Sequence, residues 1–368
     1  EYIDSKGSLT LFDIIILYII LITAFLIKPI ANLRIGLLHN RAMGKFYGHT
    51  EYYLRLRKYK ISKKKDIAIL ISGDPVNKQI LKMVSREVTV IKNAWLHKKL
   101  NKIKKNNNSK LLWIDLSKTG WLRGDEWRAP GPQLKLLKDE QSIGYDFLKT
   151  LGITKDDKFV CMFAKDRFYT DSPDTTLDPN SYWGSNDFRN CDITKYIKAA
   201  KYLTDKGIFV FRMGIHKPEF ELKEKEINSK IIDYTSKVRP HLNNPDLIDT
   251  FLHSNCKFFL GTTSGIYILS SMFNVPVAYT NMIPYGECGR ADHDIFILKK
   301  CRSKLTNKFL TFQKLIDIGM DSDWLTEEEI KKYEQDGIEF VENTEEEIYD
   351  LVVEMNERID GNLSLIHI

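Results

Sequence analysis

The stretch that most constrains this chain is Lys257-Phe258-Phe259-Leu260-Gly261-Thr262-Thr263-Ser264-Gly265, which runs on into the apolar segment 266–273. An apolar run short enough for a buried parallel strand ends at Gly261. Small residues with hydroxyls and glycines follow, then an apolar segment of helical length. The order is strand, tight turn, helix. At such a turn the first N–H groups of the helix have no intrahelical partner, and the helix dipole favours an anion there. Small side chains let a phosphate approach the backbone, and Thr262, Thr263 and Ser264 add hydroxyl donors. The same residues also suit an ordinary strand–helix turn with Ser264 as its N-cap.

The rest of the chain repeats this grammar. Strands are predicted over 33–38, 67–72, 88–91 and 111–116, with helices over 50–58, 76–84, 94–104 and 133–151. After a boundary near 152–158 the pattern restarts. Strands over 159–164, 208–213, 230–234, 257–261 and 275–279 alternate with helices over 193–205 (opened by Asp192), 246–253 and 264–273. Such alternation implies parallel sheets with helices on their faces. A chain of 368 residues is long enough for two domains. The fold expected is therefore α/β, with two Rossmann-like domains facing a cleft. They cover 31–152 and 153–316, preceded by a hydrophobic helix in 1–30 and followed by an acidic helical tail over 317–368. The tail carries helices over 326–335 and 345–358, the second capped by Asn343 or Thr344. The Gly-, Trp- and Pro-rich loop 118–132 is a candidate substrate-facing segment.

Charge is unevenly placed. Residues 28–110 carry 21 Lys and Arg against 4 Asp and Glu, whereas 317–360 carry 3 against 17. The basic half suits an anionic membrane surface. No helix-turn-helix, zinc-finger or RNP pattern accompanies it, so nucleic acid is not an expected partner. The run 14–27 is uncharged and apolar, and it extends back to Leu9 if Asp13 is tolerated. A helix over 9–27 would be about 28 Å long, just enough to cross a bilayer core. Lys28, Arg34, Arg41 and Lys45 follow it, so the positive-inside rule places the remainder in the cytoplasm. The expected location is the cytoplasmic face of a bacterial inner membrane, held by a single-helix anchor. The rival reading is a core or interfacial helix. The five cysteines, Cys161, Cys191, Cys256, Cys288 and Cys301, show no metal-site spacing and suit a reducing compartment.

Asp246-Leu247-Ile248-Asp249, the 258–265 segment and Asn274-Val275-Pro276-Val277 together resemble the donor-binding half of GT-B glycosyltransferases, most nearly the lipopolysaccharide heptosyltransferases. The chain also resembles a family of bacterial glycosyltransferases whose substrates are unassigned. That likeness runs through Arg41, Thr50–Arg55, Val160-Cys161, Lys165-Asp166, Tyr169, Arg189-Asn190-Cys191-Asp192, Phe211-Arg212-Met213-Gly214 and Gly261–Gly265. Their order and spacing over 34–316 carry it. The heptosyltransferase pattern has an aspartate where Thr263 stands and a histidine where Ile268 stands, so heptose is not implied.

The resemblance implies transfer of a sugar from a nucleotide-sugar donor to a lipid-linked or surface-glycan acceptor, within cell-envelope polysaccharide biosynthesis. It implies no resident cofactor and no metal, the nucleotide sugar being a co-substrate. Donor-binding candidates are Lys165, Arg189, Arg212, Gly214, Gly261, Thr262, Thr263, Ser264 and Gly265, because cations and turn N–H groups stabilise a leaving diphosphate. Met213–His216 would lie where the nucleotide base rests. Catalytic-base candidates are Glu51, His49 and Asp166; Thr50 and Glu51 equally read as a helix start. Asp292-His293-Asp294 and Asp321-Ser322-Asp323 match a D-x-D metal pattern but follow no convincing strand. Two alternatives stand beside transfer: a nucleotide-sugar epimerase of the same fold, and a non-catalytic glycan-binding scaffold.

Overall fold

The computed structural model describes residues 10–39, 43–59, 65–106, 112–116, 125–166, 186–214, 222, 228–286, 291–322 and 325–361. Arg41, residues 118–124, Tyr169 with most of the 165–190 loop, Ile215, His216, Cys288 and Asp323 lie outside them. The chain forms two compact units. One holds the described residues up to Ser142 with Asp246–Phe251 and Met272–Asn274. The other holds Ile143–Pro245, Leu252–Ser271 and Val275 onward.

In the first unit helix α1 (Leu11–Ile27) leads into strand β1 (Ala31–Leu37). A wide helical turn, Lys45–His49, precedes α2 (Thr50–Tyr59). There follow β2 (Lys65–Ser72), α3 (Lys78–Glu87), β3 (Thr89–Lys92), α4 (Ala94–Asn106), β4 (Trp113–Ile114), α5 (Asp125–Arg128) and α6 (Lys138–Thr150, of which the residues from Ile143 belong to the second unit). The strands are parallel in the order β3-β2-β1-β4. Asn77 caps α3, its Oδ1 accepting from the Ile80 N–H at 2.8 Å. The helix expected from 133 begins only at Lys138. The Gln133 and Leu134 N–H groups donate instead to the Glu51 carboxylate, at 2.8 and 3.1 Å.

The apolar N-terminal run, expected as a helix over 9–27, is helical over 11–27. Among the described residues no helix is long and apolar enough to cross a membrane. The 17 residues of α1 give about 26 Å of helix. Asp13, the helix's one charge, is buried against the unit, within 3.1 Å of Lys99 Nζ and 3.4 Å of Lys102 Nζ. It also closes a capping box with Thr10. Ile16, Leu17, Ile20, Leu21 and Ala24 pack on Ile35, Leu37, Leu100, Ile103 and Trp113. The rival reading of a packed helix describes this face.

In the second unit β5 (Phe159–Phe163), α7 (Ile197–Asp205), β6 (Phe209–Arg212), β7 (Ile231–Ile232), α8 (Pro245–Asn255, of which Asp246–Phe251 belong to the first unit), β8 (Phe259–Thr262), α9 (Tyr267–Met272), β9 (Val277–Met282) and β10 (Ile295–Leu298) follow in turn. Six parallel strands take the order β10-β9-β8-β5-β6-β7. Strands β11 (Lys300–Ser303) and β12 (Ile338–Val341) pair antiparallel, with α10 (Phe312–Asp317) and α11 (Glu327–Gln335) between them in sequence. Helix α12 (Glu345–Asp360) closes the unit.

The described part of the expected acidic helical tail packs into the second unit. Ile348, Leu351, Val352 and Met355 of α12 share one core with Ala199, Ala200 and Leu203 of α7 and Val160, Val210 and Leu260 of the sheet. The acidic residues of α12 lie mostly on its other faces, as helical periodicity allows. Thr344 caps this helix in a box with Glu347, while Asn343 pairs with Asn281 on β9.

Candidate functional site

The six-stranded sheet reverses its strand order between β5 and β8. From β5 the chain proceeds to β6 and β7 on one side, and through β8, β9 and β10 on the other. In open α/β sheets a ligand site forms outside the carboxyl ends of the strands at such a reversal. Lys165 leaves β5 there, and Thr262, Thr263 and Ser264 leave β8 beside it. The Lys165 N–H donates to Thr262 Oγ1 at 3.2 Å and joins the two strand ends.

Three cations gather at this point. Lys165 Nζ donates to Asn190 Oδ1 at 2.7 Å, and Lys299 Nζ donates to the Asn190 carbonyl at 2.7 Å. Arg189 is buried, and its guanidinium donates to the Thr263 carbonyl at 2.5 Å. Burial lowers the pKa of Lys299, a buried ammonium that Asn190 orients. Ser264 Oγ is enclosed and makes no hydrogen bond among the described residues, so a donor without a partner stands beside the cations. Tyr196 supports the loop from below, its hydroxyl 2.5 Å from Thr280 Oγ1 and 3.5 Å from Cys191 Sγ. Desolvation pushes the Cys191 thiol up to about 11, so it stays protonated and inert at neutral pH.

The structure redistributes the other expected donor residues. Arg212 is buried in an ion pair with Asp233, 3.1 Å away, and does not join the cluster. Thr263 Oγ1 donates to the Ile283 carbonyl at 2.9 Å and holds the turn rather than a ligand. Gly261 is required by strand packing, because a Cβ there would run into the Phe163 carbonyl oxygen of β5. Gly214 sits at φ +132°, with Phe163 against it. Helix α9 starts at Tyr267 and has six residues, so Ser264 is not its N-cap and its dipole is short. An anion at this turn would therefore meet side chains more than a helix end.

Of the three catalytic candidates, Glu51 and His49 belong to the first unit, and Asp166 belongs to the second with the cationic cluster. Glu51 is fully buried. Its Oε1 accepts from Arg55 Nε at 2.7 Å, and both oxygens accept backbone N–H groups. Burial pushes its carboxyl up, to about 7, while Arg55 and the two N–H groups pull the other way. Arg55 in turn donates to the carbonyls of Trp127 and Met272 at 2.7 and 2.6 Å and to Asn274 Oδ1 at 3.1 Å. Its guanidinium carbon lies 3.4 Å from the Trp127 ring centroid. Glu51 is thus the core of a buried polar network, not a base open to substrate. Helix-start chemistry does not explain it either, since Thr50 Oγ1 donates back to the Phe46 carbonyl. His49 is buried, its ring edge-on to His39 at 5.2 Å. Asp166 follows Lys165 directly and is half-buried at the end of β5.

No protein-family model and no curated protein matches this chain. Among solved structures, the ADP-heptose lps heptosyltransferase II of E. coli is 13% identical, with a TM-score of 0.44, covering 88% of this chain and 100% of that one. A family 9 glycosyl transferase from Veillonella parvula DSM 2008 is 10% identical, with a TM-score of 0.46, covering 88% and 98%. The E. coli heptosyltransferase WaaC with ADP is 12% identical, with a TM-score of 0.35, covering 83% and 99%. At such scores these likenesses carry no statement about what this chain binds.

Lys299 and Asn190 are the members of the cluster that the sequence reading passed over as ligand candidates. Asn190 stands beside Arg189 in a segment already noted. Lys299 is one of a Lys-Lys pair after the apolar run 295–298, and only the fold brings it near residue 190. Among the described residues no group of three or more His, Cys, Asp or Glu forms a metal cage. Asp294 of the first D-x-D pattern accepts the backbone N–H groups of Val277 and Ala291, which gives it a structural role.

Proposed function

We propose that this chain is a glycosyltransferase whose second unit holds the diphosphate of a nucleotide-sugar donor at the ends of β5 and β8. One observation carries the reading. Lys165, Arg189 and Lys299 meet an unpartnered Ser264 hydroxyl where the strand order reverses. The sequence resemblance to GT-B donor halves points to Lys165, Arg189 and Ser264 as well, whereas Lys299 comes from the fold alone.

In the reaction the bond from the sugar's anomeric carbon to the β-phosphate oxygen breaks, and the nucleoside diphosphate leaves with the electron pair. Fixed cations are worth most at this step, because they meet charge that grows in the transition state. The acceptor hydroxyl forms the new bond and gives up its proton. Asp166 is the candidate base, since it alone of the three shares a unit with the cluster. The acceptor is proposed to be lipid-linked or a surface glycan, and the basic first unit supports that choice by its charge.

The test is a thermal-shift series with nucleoside diphosphates, followed by transfer assays with the corresponding nucleotide sugars and extracted lipid acceptor. A ligand that binds only the folded state raises its Tm. Stabilisation by one nucleoside diphosphate that is lost in Lys299→Ala supports the site. Stabilisation that survives Lys165→Ala and Lys299→Ala would place the nucleotide elsewhere. Conversion of free nucleotide sugar without acceptor would assign an epimerase.

A further inference from the structure

Apart from Asp13, helix α1 is apolar all round, yet the described residues of the first unit cover one side of it. Its packed side faces β1, β4 and α4. The opposite side presents Phe12, Ile15, Ile19, Ile22, Phe25 and Leu26, with Ile19 59% and Phe25 73% exposed. At 3.6 residues per turn these fall on a single face along the whole helix. Trp95 of α4, 55% exposed, continues the face through a ring contact with Phe12 at 6.2 Å between centroids. A contiguous apolar face of this length marks a surface that something covers.

Charge around the face selects what covers it. Lys98 and Lys105 are exposed on α4, and Trp95, Lys98, Lys102 and Lys105 recur three or four residues apart along one side of that helix. Lys28 is exposed as well, and exposed Lys92 stands 4.0 Å from Asp74. No Asp or Glu occurs between Asp13 and Glu51 or between Glu87 and Asp115. The one carboxylate of α1, Asp13, is turned inward and answered by Lys99 and Lys102. The stretches that carry these side chains, 14–50 and 88–114, hold no Asp or Glu, so a second copy laid face to face would bring like charges together. An anionic lipid surface neutralises the lysines and buries the apolar face together.

We propose that α1 lies in the plane of an anionic bilayer surface, its outer face in the headgroup and acyl boundary and its inner face on the first unit. The domain then takes the place of the polar side that a lone interfacial helix turns to water. Such an arrangement is monotopic and needs no bilayer-crossing length. The proposal does not depend on the donor site. Vesicle binding and nucleotide binding are separate readouts, and either survives failure of the other.

The experiment is vesicle co-sedimentation of the full chain. It compares phosphatidylcholine vesicles with phosphatidylcholine vesicles containing phosphatidylglycerol, at low and high salt. The expected result is binding to the anionic vesicles that weakens with salt. Ile19→Gln with Ile22→Gln should weaken it about tenfold or more, and Lys98→Glu with Lys105→Glu should remove the preference for anionic lipid. Both pairs are on the surface and should leave the Tm unchanged. Brominated acyl chains should quench Trp emission in the wild type and less so in Trp95→Phe. The proposal is overturned if neither vesicle binds, or if the protein is a dimer that Ile19→Gln with Ile22→Gln dissociates. Membrane association that resists both high salt and the isoleucine changes would also overturn it, because that is the behaviour of a spanning segment.

Discussion

Arg55 and Glu51 stand one turn apart on α2 and form an ion pair of 2.7 Å with neither side chain exposed. Arg55 also binds two carbonyls and the Asn274 side chain, so one buried cation ties α2 to residues 127 and 272–274. A buried pair of this kind gains little over apolar packing, but losing one partner strands the other. Glu51→Gln is therefore expected to lower unfolding stability by about 3 kcal/mol. Chemical denaturation of the two proteins measures this. An unchanged midpoint with lost sugar transfer would restore Glu51 as a catalytic base.

Gly261→Ala should destabilise the second unit by about 1–3 kcal/mol, the usual range for overpacking. The added methyl meets the Phe163 carbonyl of the paired strand, which is backbone and cannot swing away. The measurement is the urea midpoint. A folded, fully stable Gly261→Ala protein would show that the two strands can part at no cost.

Lys165→Ala and Lys299→Ala should each weaken nucleoside diphosphate binding by about tenfold, near 1.4 kcal/mol. Arg212→Ala should instead lower stability, because it leaves the buried Asp233 carboxylate without its cation. Calorimetry of binding beside a melting curve separates the two effects. A loss of nucleotide affinity in Arg212→Ala at unchanged Tm would return that residue to the donor site.

His253 should make the second unit acid-sensitive. It is buried, its Nδ1 lies 2.7 Å from Ser270 Oγ, and burial lowers its pKa from 6.5 to about 3. Between those values the unfolded chain binds a proton that the folded chain does not, so stability falls as pH falls through that window. The slope from this residue is up to about 1.4 kcal/mol per pH unit. His39 in the first unit, lowered to about 4 chiefly by burial, acts in the same direction. His253→Gln, which keeps a polar group for Ser270, should flatten the pH dependence of the urea midpoint between 6.5 and 5. A parallel pair of curves would refute the assignment.

What the sequence by itself determined was the local grammar. Apolar runs of strand length alternating with helical segments made two parallel sheets, because that periodicity and the backbone's hydrogen bonding admit few other arrangements. Thr344, one of two cap candidates, marked the start of α12 because its side chain answers an N–H group only three residues away, whereas the helix expected from 76 starts at Lys78 behind Asn77. Partners distant in sequence were decided only by the tertiary structure. Lys299 reaches Asn190, Arg55 reaches Met272, and α12 enters the core of α7, across 109, 217 and about 150 residues respectively. Nothing in the spacing of Arg212 distinguished a free cation from one paired with Asp233, and nothing around Glu51 announced that two backbone N–H groups at 133 and 134 would claim its oxygens. A charge's role depends on its burial and on the partner that compensates it, and both are properties of packing rather than of order along the chain.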